Sequence, residues 1–193
     1  MAAGEWAWLC PAQAGPLGAF LGVRLGGFSR ATPLWAEPWV ERWVVADERR
    51  RRAEQLLTEG AVGAAARAYS QALRAAAAAM TPAGPSPWEA AMTLKAELHA
   101  QLALCQLRLG LPVAAVANAG KALQLRPQHL EARYRRGVAA AATGDLDAAT
   151  EDLREVLRAE PSHARAGREL RRVREAARQR DAGLARRLGR LFA

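Results

Sequence analysis

The sequence predicts a mainly α-helical protein: three helix–turn–helix repeats forming a right-handed solenoid, a C-terminal capping helix, and a short N-terminal β segment. Three observations carry this prediction. Turn and contact residues recur 34 positions apart, pairing Gly110 with Gly144, Pro127 with Pro161, Ala115 with Ala149 and Ala103 with Gly137. The chain is 51% hydrophobic and 24% charged, enough apolar material for a core and too little polar bias for wholesale disorder. Residues 1–45 lack the repeat and carry most of the tryptophans instead.

Taken in order, Glu5–Leu9 and Ala19–Phe28 read as two short strands joined by a Pro/Gly-rich link. Two strands alone are marginal, so they need the repeats or a partner to stay ordered. Trp35, Trp39 and Trp43 follow as a lid on the start of the solenoid. The apolar stretch Met1–Val23 is broken by Glu5, Pro11 and Pro16, so no membrane span is expected, and it lacks the positive start of a secretory signal.

A period of 34 residues is that of the tetratricopeptide repeat (TPR), in which helix A and helix B pack antiparallel. Residues 130–161 form its clearest copy. Gly137 allows the close contact on helix A, Gly144 takes the left-handed turn, Ala149 meets helix A from helix B, and Pro161 stops helix B. Anchoring Gly60 as the first turn glycine places Ala53, Ala65, Tyr69 and Ala72 at equivalent contacts. Gly60 and Gly110 are 50 residues apart, so the first helix B runs long through Ala75–Ala79 before the loop 81–87. Helices are expected near 47–59, 63–79, 88–109, 113–125, 129–142 and 146–158. The domains are then 1–45, a β remnant and linker; 46–161, repeats at about 46–80, 88–127 and 130–161; and 162–193, a basic capping helix.

That last helix is expected to start on Ser162 as N-cap, with Leu170, Val173, Ala177, Leu184, Leu188 and Leu191 on one stripe interrupted by Asp181. A solenoid needs such a helix to cover the apolar face of its final repeat. It is also basic. Residues 165–193 hold ten arginines against three acids, most of the whole chain's net charge of +9. A basic amphipathic helix also suits a calmodulin-like partner, tested by a peptide covering Arg168–Phe192. No specific nucleic-acid binding is expected, because only Phe192 among the aromatics lies beside the basic helix and a stacking platform is missing.

Cys10 and Cys105 are too few for a disulfide framework or, with His99, His129 and His163, for a four-ligand zinc site. A reducing, cytoplasmic setting fits, with nuclear access open to a small basic protein. No phosphate-cradling glycine loop, nucleophile elbow or histidine pair at metal spacing is present, so neither a cofactor nor an enzymatic activity is expected. Cys105, between Leu104 and Leu107, reads as a small buried hydrophobe.

Three segments carry a closer resemblance. His129-Leu130-Glu131-Ala132-Arg133-Tyr134-Arg135-Arg136-Gly137-Val138-Ala139 resembles the third-repeat helix A of the immunophilin co-chaperones. Leu98-His99-Ala100-Gln101-Leu102-Ala103-Leu104-Cys105 and the ending Arg180-Asp181-Ala182-Gly183-Leu184-Ala185-Arg186-Arg187-Leu188-Gly189-Arg190 are similar to the FKBP-like branch of that family. The resemblance implies that Gly4–Phe28 are the closing strands of a prolyl-isomerase-like domain most of which this chain lacks. No isomerase activity follows, since the closed pocket needs the full domain.

It also implies a partner. In the family the concave groove of the repeats holds the C-terminus of an Hsp90-type chaperone in a carboxylate clamp of cations and amides on successive A helices, and links it to a client protein. On this register the repeat-one lysine becomes Arg50 and its asparagine Glu54, the repeat-two asparagine becomes Gln101, the repeat-three lysine becomes Glu131, and the arginine is kept as Arg135. Glu54 and Glu131 are acids where an anionic peptide should lie, each costing about 1 kcal/mol or more in a part-desolvated groove. A protein-interaction scaffold with a different partner, its peptide more basic or apolar, is the alternative.

Overall fold

The computed structural model describes residues 6–9, 21–24, 39–79 and 88–190, with side chains described over 41–77 and 89–190. The chain divides into two compact units, Met1–Ala36 and Glu37–Ala193. In the first, β1 (Trp6–Leu9) pairs antiparallel with β2 (Leu21–Arg24), Trp6 opposite Arg24 and Leu9 opposite Leu21. These strands sit inside the two expected segments. The rest of those segments, Cys10 and Trp35 lie outside the described residues.

The second unit is a run of seven described helices: α1 (Trp39–Thr58), α2 (Val62–Ala79), α3 (Trp88–Arg108), α4 (Pro112–Leu125), α5 (Leu130–Thr143), α6 (Leu146–Ala159) and α7 (Ala164–Gly189). Consecutive helices pack on one another and α3 also meets α5, so α1, α3 and α5 are the A helices of a TPR array. One expectation fails at the start. Trp39 and Trp43 belong to α1, which begins eight residues before the expected 47, and so they are not a separate lid. Nothing in 39–46 breaks a helix, and Ala46 is fully buried, so apolar contact extends the helix backward.

Each A helix ends in the same way because each carries glycine where the chain must turn left-handed. Gly60, Gly110 and Gly144 have φ of +80°, +71° and +86°, the only positive values among the described residues. At all three the next residue donates its N–H five residues back: Ala61 to Leu56, Leu111 to Gln106 and Asp145 to Ala140, at 2.9–3.0 Å. Identical turns give the repeats a common register.

The core is a ladder of small residues. Ala53, Ala65, Ala72, Ala103, Ala115, Ala122, Ala139 and Ala149 are all fully buried, letting helix backbones approach, with Tyr69, Leu98, Leu153 and Val156 filling the larger gaps. At Gly137 a Cβ would lie 3.1 Å from Leu153 Cγ and 3.2 Å from Asp152 Cβ. Across the same junction Asp152, 3% exposed, takes a two-point grip from Arg136, with Nε–Oδ2 at 2.7 Å and Nη2–Oδ1 at 2.6 Å.

Helix α7 caps the array with only part of its length. Leu170 and Val173 are buried against α6, but Leu184 and Leu188 of the same stripe are 49% and 54% exposed. Its N-cap is His163, whose Nδ1 accepts from Ala166 N at 3.0 Å, and not Ser162. No described helix is long and apolar enough to cross a membrane.

Candidate functional site

The register brings the A helices' polar residues to one face. On α3, Glu89, Thr93, Glu97 and Gln101 follow at steps of four and share one side of the helix. Opposite them α1 offers Asp47, Arg50 and Glu54, and between the two helices lies a groove of about 800 Å³ floored by Ala90, Leu94 and Leu98. Three of the five expected clamp positions, Arg50, Glu54 and Gln101, line this one groove.

Arg50 is committed within its own helix. Its Nε and Nη2 reach Asp47 Oδ1 at 2.9 and 2.8 Å, and its Nη1 reaches Glu54 Oε1 at 2.5 Å. These bonds, Asp47 first, raise its pKa. Arg51 takes the other Asp47 oxygen at 2.7 Å. The amide of Gln101, by contrast, has no hydrogen-bond partner among the described residues.

Glu131 and Arg135 form a second cluster toward α7. Arg135 is 8% exposed, and its Nη2 lies 3.3 Å from Glu131 Oε2 while its buried Nη1 has no hydrogen-bond partner. Burial lowers its pKa, opposed by Glu131 and Glu97. Glu131 is shared: Arg165 Nη2 approaches at 3.1 Å and His163 Nε2 at 3.9 Å. Arg165 also stacks its guanidinium over Tyr134, 5.3 Å from the ring centre.

Several residues of this face escape sequence reasoning although the period encodes them. Asp47 and Glu97 stand thirteen residues before a turn glycine, as the expected clamp position Glu131 does, so one carboxylate per repeat runs along the A helices. The same arithmetic finds the histidines. His129 and His163 cap α5 and α7 through Nδ1, which leaves the proton on Nε2, and that nitrogen faces the glutamate of the preceding A helix: His129 to Glu97 at 3.8 Å, His163 to Glu131 at 3.9 Å. Burial lowers the pKa of His129. Tyr69, on α2, is fully buried with its hydroxyl unpartnered, and burial, then Glu54, pushes it up to about 12.

Among the described residues no His/Cys/Asp/Glu group could hold a metal. Cys105 is buried and burial pushes its thiol up, away from the reactive thiolate. His99 is tied to Asn118 at 2.9 Å.

Repeated turn glycines, the alanine ladder and a polar concave face on the A helices define a tetratricopeptide-repeat domain, and the tetratricopeptide repeat family model matches residues 130–163. The chain is similar to the FK506-binding protein-like proteins. It is 42% identical to the Rattus norvegicus "FK506-binding protein-like" over 170 residues, 88% of this chain and 47% of that protein. The chain thus spans about half the length of the curated relatives it matches. In fold it is similar to the C-terminal TPR-containing domain of a Plasmodium falciparum FK506-binding protein, with TM-score 0.73, 16% identity, and coverage of 78% of this chain and 99% of that one. It is also similar to the first TPR of Spaghetti (RPAP3), solved bound to the HSP90 peptide SRMEEVD, with TM-score 0.58, 23% identity, and coverage of 69% and 93%. The described residues of this chain form TPR helices and one hairpin, not an isomerase fold.

Proposed function

We propose that this chain is a non-catalytic, peptide-binding scaffold of the co-chaperone type, whose concave A-helix face takes the C-terminus of an Hsp90-type chaperone and links it to a client protein. The observation that carries the reading is the site around Arg135. A buried guanidinium with an unsatisfied donor on α5, together with the free amide of Gln101 and the cation of Arg50 in the α1/α3 groove, is the chemistry that a terminal carboxylate needs. Clamp positions Arg50, Glu54, Gln101, Glu131 and Arg135 are the residues assigned to it.

The test is a fluorescence-anisotropy titration of the chain with labelled SRMEEVD and with the same peptide amidated. Micromolar binding that is lost on amidation and weakened at least tenfold by Arg135→Ala is expected, in line with removing one partner of a desolvated charge pair. No binding at high concentration overturns the clamp.

A second reading is favoured by the ion pairs themselves. Arg50 is already bonded to Asp47 and Glu54, and Arg135 to Glu131, so the chain's own carboxylates occupy the clamp cations. A scaffold for a different protein partner follows from this. Charge reversal at Glu54 or Glu131 then weakens binding of the true partner, whereas under the first reading it strengthens binding of SRMEEVD.

A further inference from the structure

Helix α7 is docked on the array for only part of its length, and the change falls at Asp181. Before it, Leu170 and Val173 are buried against α6, Ala177 is half-buried, and Arg180 reaches Asp147 of α6 at 3.6 Å. Asp181 takes the place where the apolar stripe should continue and pairs with Arg180 at 3.1 Å. Among the described residues, no hydrogen bond or ion pair of 182–190 leaves α7, and Arg186 Nε donates only to Ala182 O of its own helix. The stripe resumes there with Leu184 and Leu188, both about half exposed. A helix that runs on past its last tertiary contact, through Gly183, gains no support from the array and carries an amphipathic face with nothing against it.

This end is strongly cationic. Arg174, Arg178, Arg180, Arg186, Arg187 and Arg190 are all exposed, against Glu175 and Asp181, and of the six only Arg180 has an ion-pair partner among the described residues. The helical step of about 100° orders them. Arg180 and Arg187 flank the leucines on one side, Arg174 and Arg178 on the other, and Arg186 stands opposite. An apolar strip with cations along both edges fits a plane, because the strip sinks in while both edges meet negative charge at one level. A protein groove closing round the helix would cover Arg186 and Arg190 as well, and each desolvated guanidinium would need its own partner. On a flat surface those two stay in water.

We infer that the end of α7 is a reversible anchor for a membrane surface of anionic phospholipid. Leu184 and Leu188 enter the boundary between headgroups and acyl chains, and the flanking guanidiniums pair with lipid phosphates and carboxylates in the bidentate manner arginine allows. The helix lies on the bilayer and does not cross it, in keeping with its lack of a long apolar run. Attachment of this kind is weak and sensitive to salt. It is independent of the peptide groove, whose clamp positions lie on α1, α3 and α5.

The test is co-sedimentation of the full chain with vesicles of phosphatidylcholine alone and of phosphatidylcholine with about 30% phosphatidylserine. Binding to the anionic vesicles only, several-fold weaker at physiological than at low salt, is expected. Leu184→Ser/Leu188→Ser, with helicity checked by circular dichroism, is expected to lose at least tenfold in partitioning, and Arg178→Gln/Arg187→Gln about as much. Arg154→Gln/Arg158→Gln on α6 removes equal charge and is expected to change binding little. Anionic-vesicle binding that is indifferent to the leucine variant overturns the inference, since any basic protein adsorbs in that way. Binding to both vesicles alike, or to neither, overturns it too. Calcium-dependent binding to calmodulin without vesicle binding assigns the helix face to a protein groove and likewise overturns it.

Discussion

The Arg136–Asp152 pair ties helix A to helix B in the third repeat, and its two partners are buried to different depths. The Asp152 side chain is 4% exposed, that of Arg136 35%. In Asp152→Ala two charge-assisted hydrogen bonds are lost, but the guanidinium left behind is a third open to water and hydrates, so the cost is set near the lower end for such bonds, about 2–3 kcal/mol. Arg136→Met keeps the stem and strands a buried carboxylate instead, at about 3–5 kcal/mol. The Cβ of residue 152, which packs toward Gly137, is kept in the alanine variant, so that contact is common to both variants. Urea unfolding followed by helical circular dichroism reads both free energies, and in thermal unfolding the Asp152→Ala midpoint temperature should fall by about 4–12 °C. The reasoning is refuted if Asp152→Ala costs as much as Arg136→Met, because the argument depends on which partner is left in the dry interior.

Other outcomes follow from single sites. Gly137→Ala should destabilise by about 1–2 kcal/mol, the overpacking against Leu153 and Asp152 outweighing alanine's better helix propensity, whereas Gly120→Ala, with open space around its Cβ, should stabilise by about 0.5–1 kcal/mol in the same urea assay. Gly144→Ala should cost about 1 kcal/mol, since φ of +86° strains any residue with a Cβ. Burial lowers the pKa of His99 and of His129 below the ordinary 6.5, so between those folded values and 6.5 the unfolded chain binds more protons. Stability should therefore hold above pH 6.5 and decline as the pH falls below it, read as melting temperature between pH 7.5 and 5.5; a melting temperature that rises on acidification contradicts this assignment.

The array was legible because its signals are local and obligatory. A left-handed turn demands glycine and a close helix crossing demands alanine or glycine, so Gly60, Gly110, Gly144 and the alanine ladder announce themselves in the sequence. The start of α1 was not legible, because no cap or breaker separates Trp39 from Arg50 and only the burial of Ala46 reveals the continuation. The cap of α7 was misplaced by one residue: serine is the commoner N-cap, but here the imidazole of His163 performs the task. At the candidate site Arg50, Glu54 and Gln101 line one groove, although counting back from the turn glycines sets Asp47 and Arg51, not Arg50 and Glu54, level with Glu131 and Arg135. What register does not give is pairing. That Arg50 turns to Asp47, that Glu131 is divided among three cations or imidazoles, and that Tyr69 has no partner depend on rotamers and on neighbours supplied by other helices.

The capping helix does more than shield an apolar end. Through His163 and Arg165 its first turn reaches back to Glu131, the same carboxylate that neutralises Arg135. Trimming the chain after α6 would hand Glu131 wholly to Arg135 and quench the cation at the heart of the candidate site. The terminus thus works as an electrical tuner: whatever draws Arg165 away, an acidic surface seated on the exposed arginines of α7 for instance, alters the grip on Arg135 without touching the groove. Occupancy at the end of the array and occupancy of its concave face become linked quantities through one shared carboxylate.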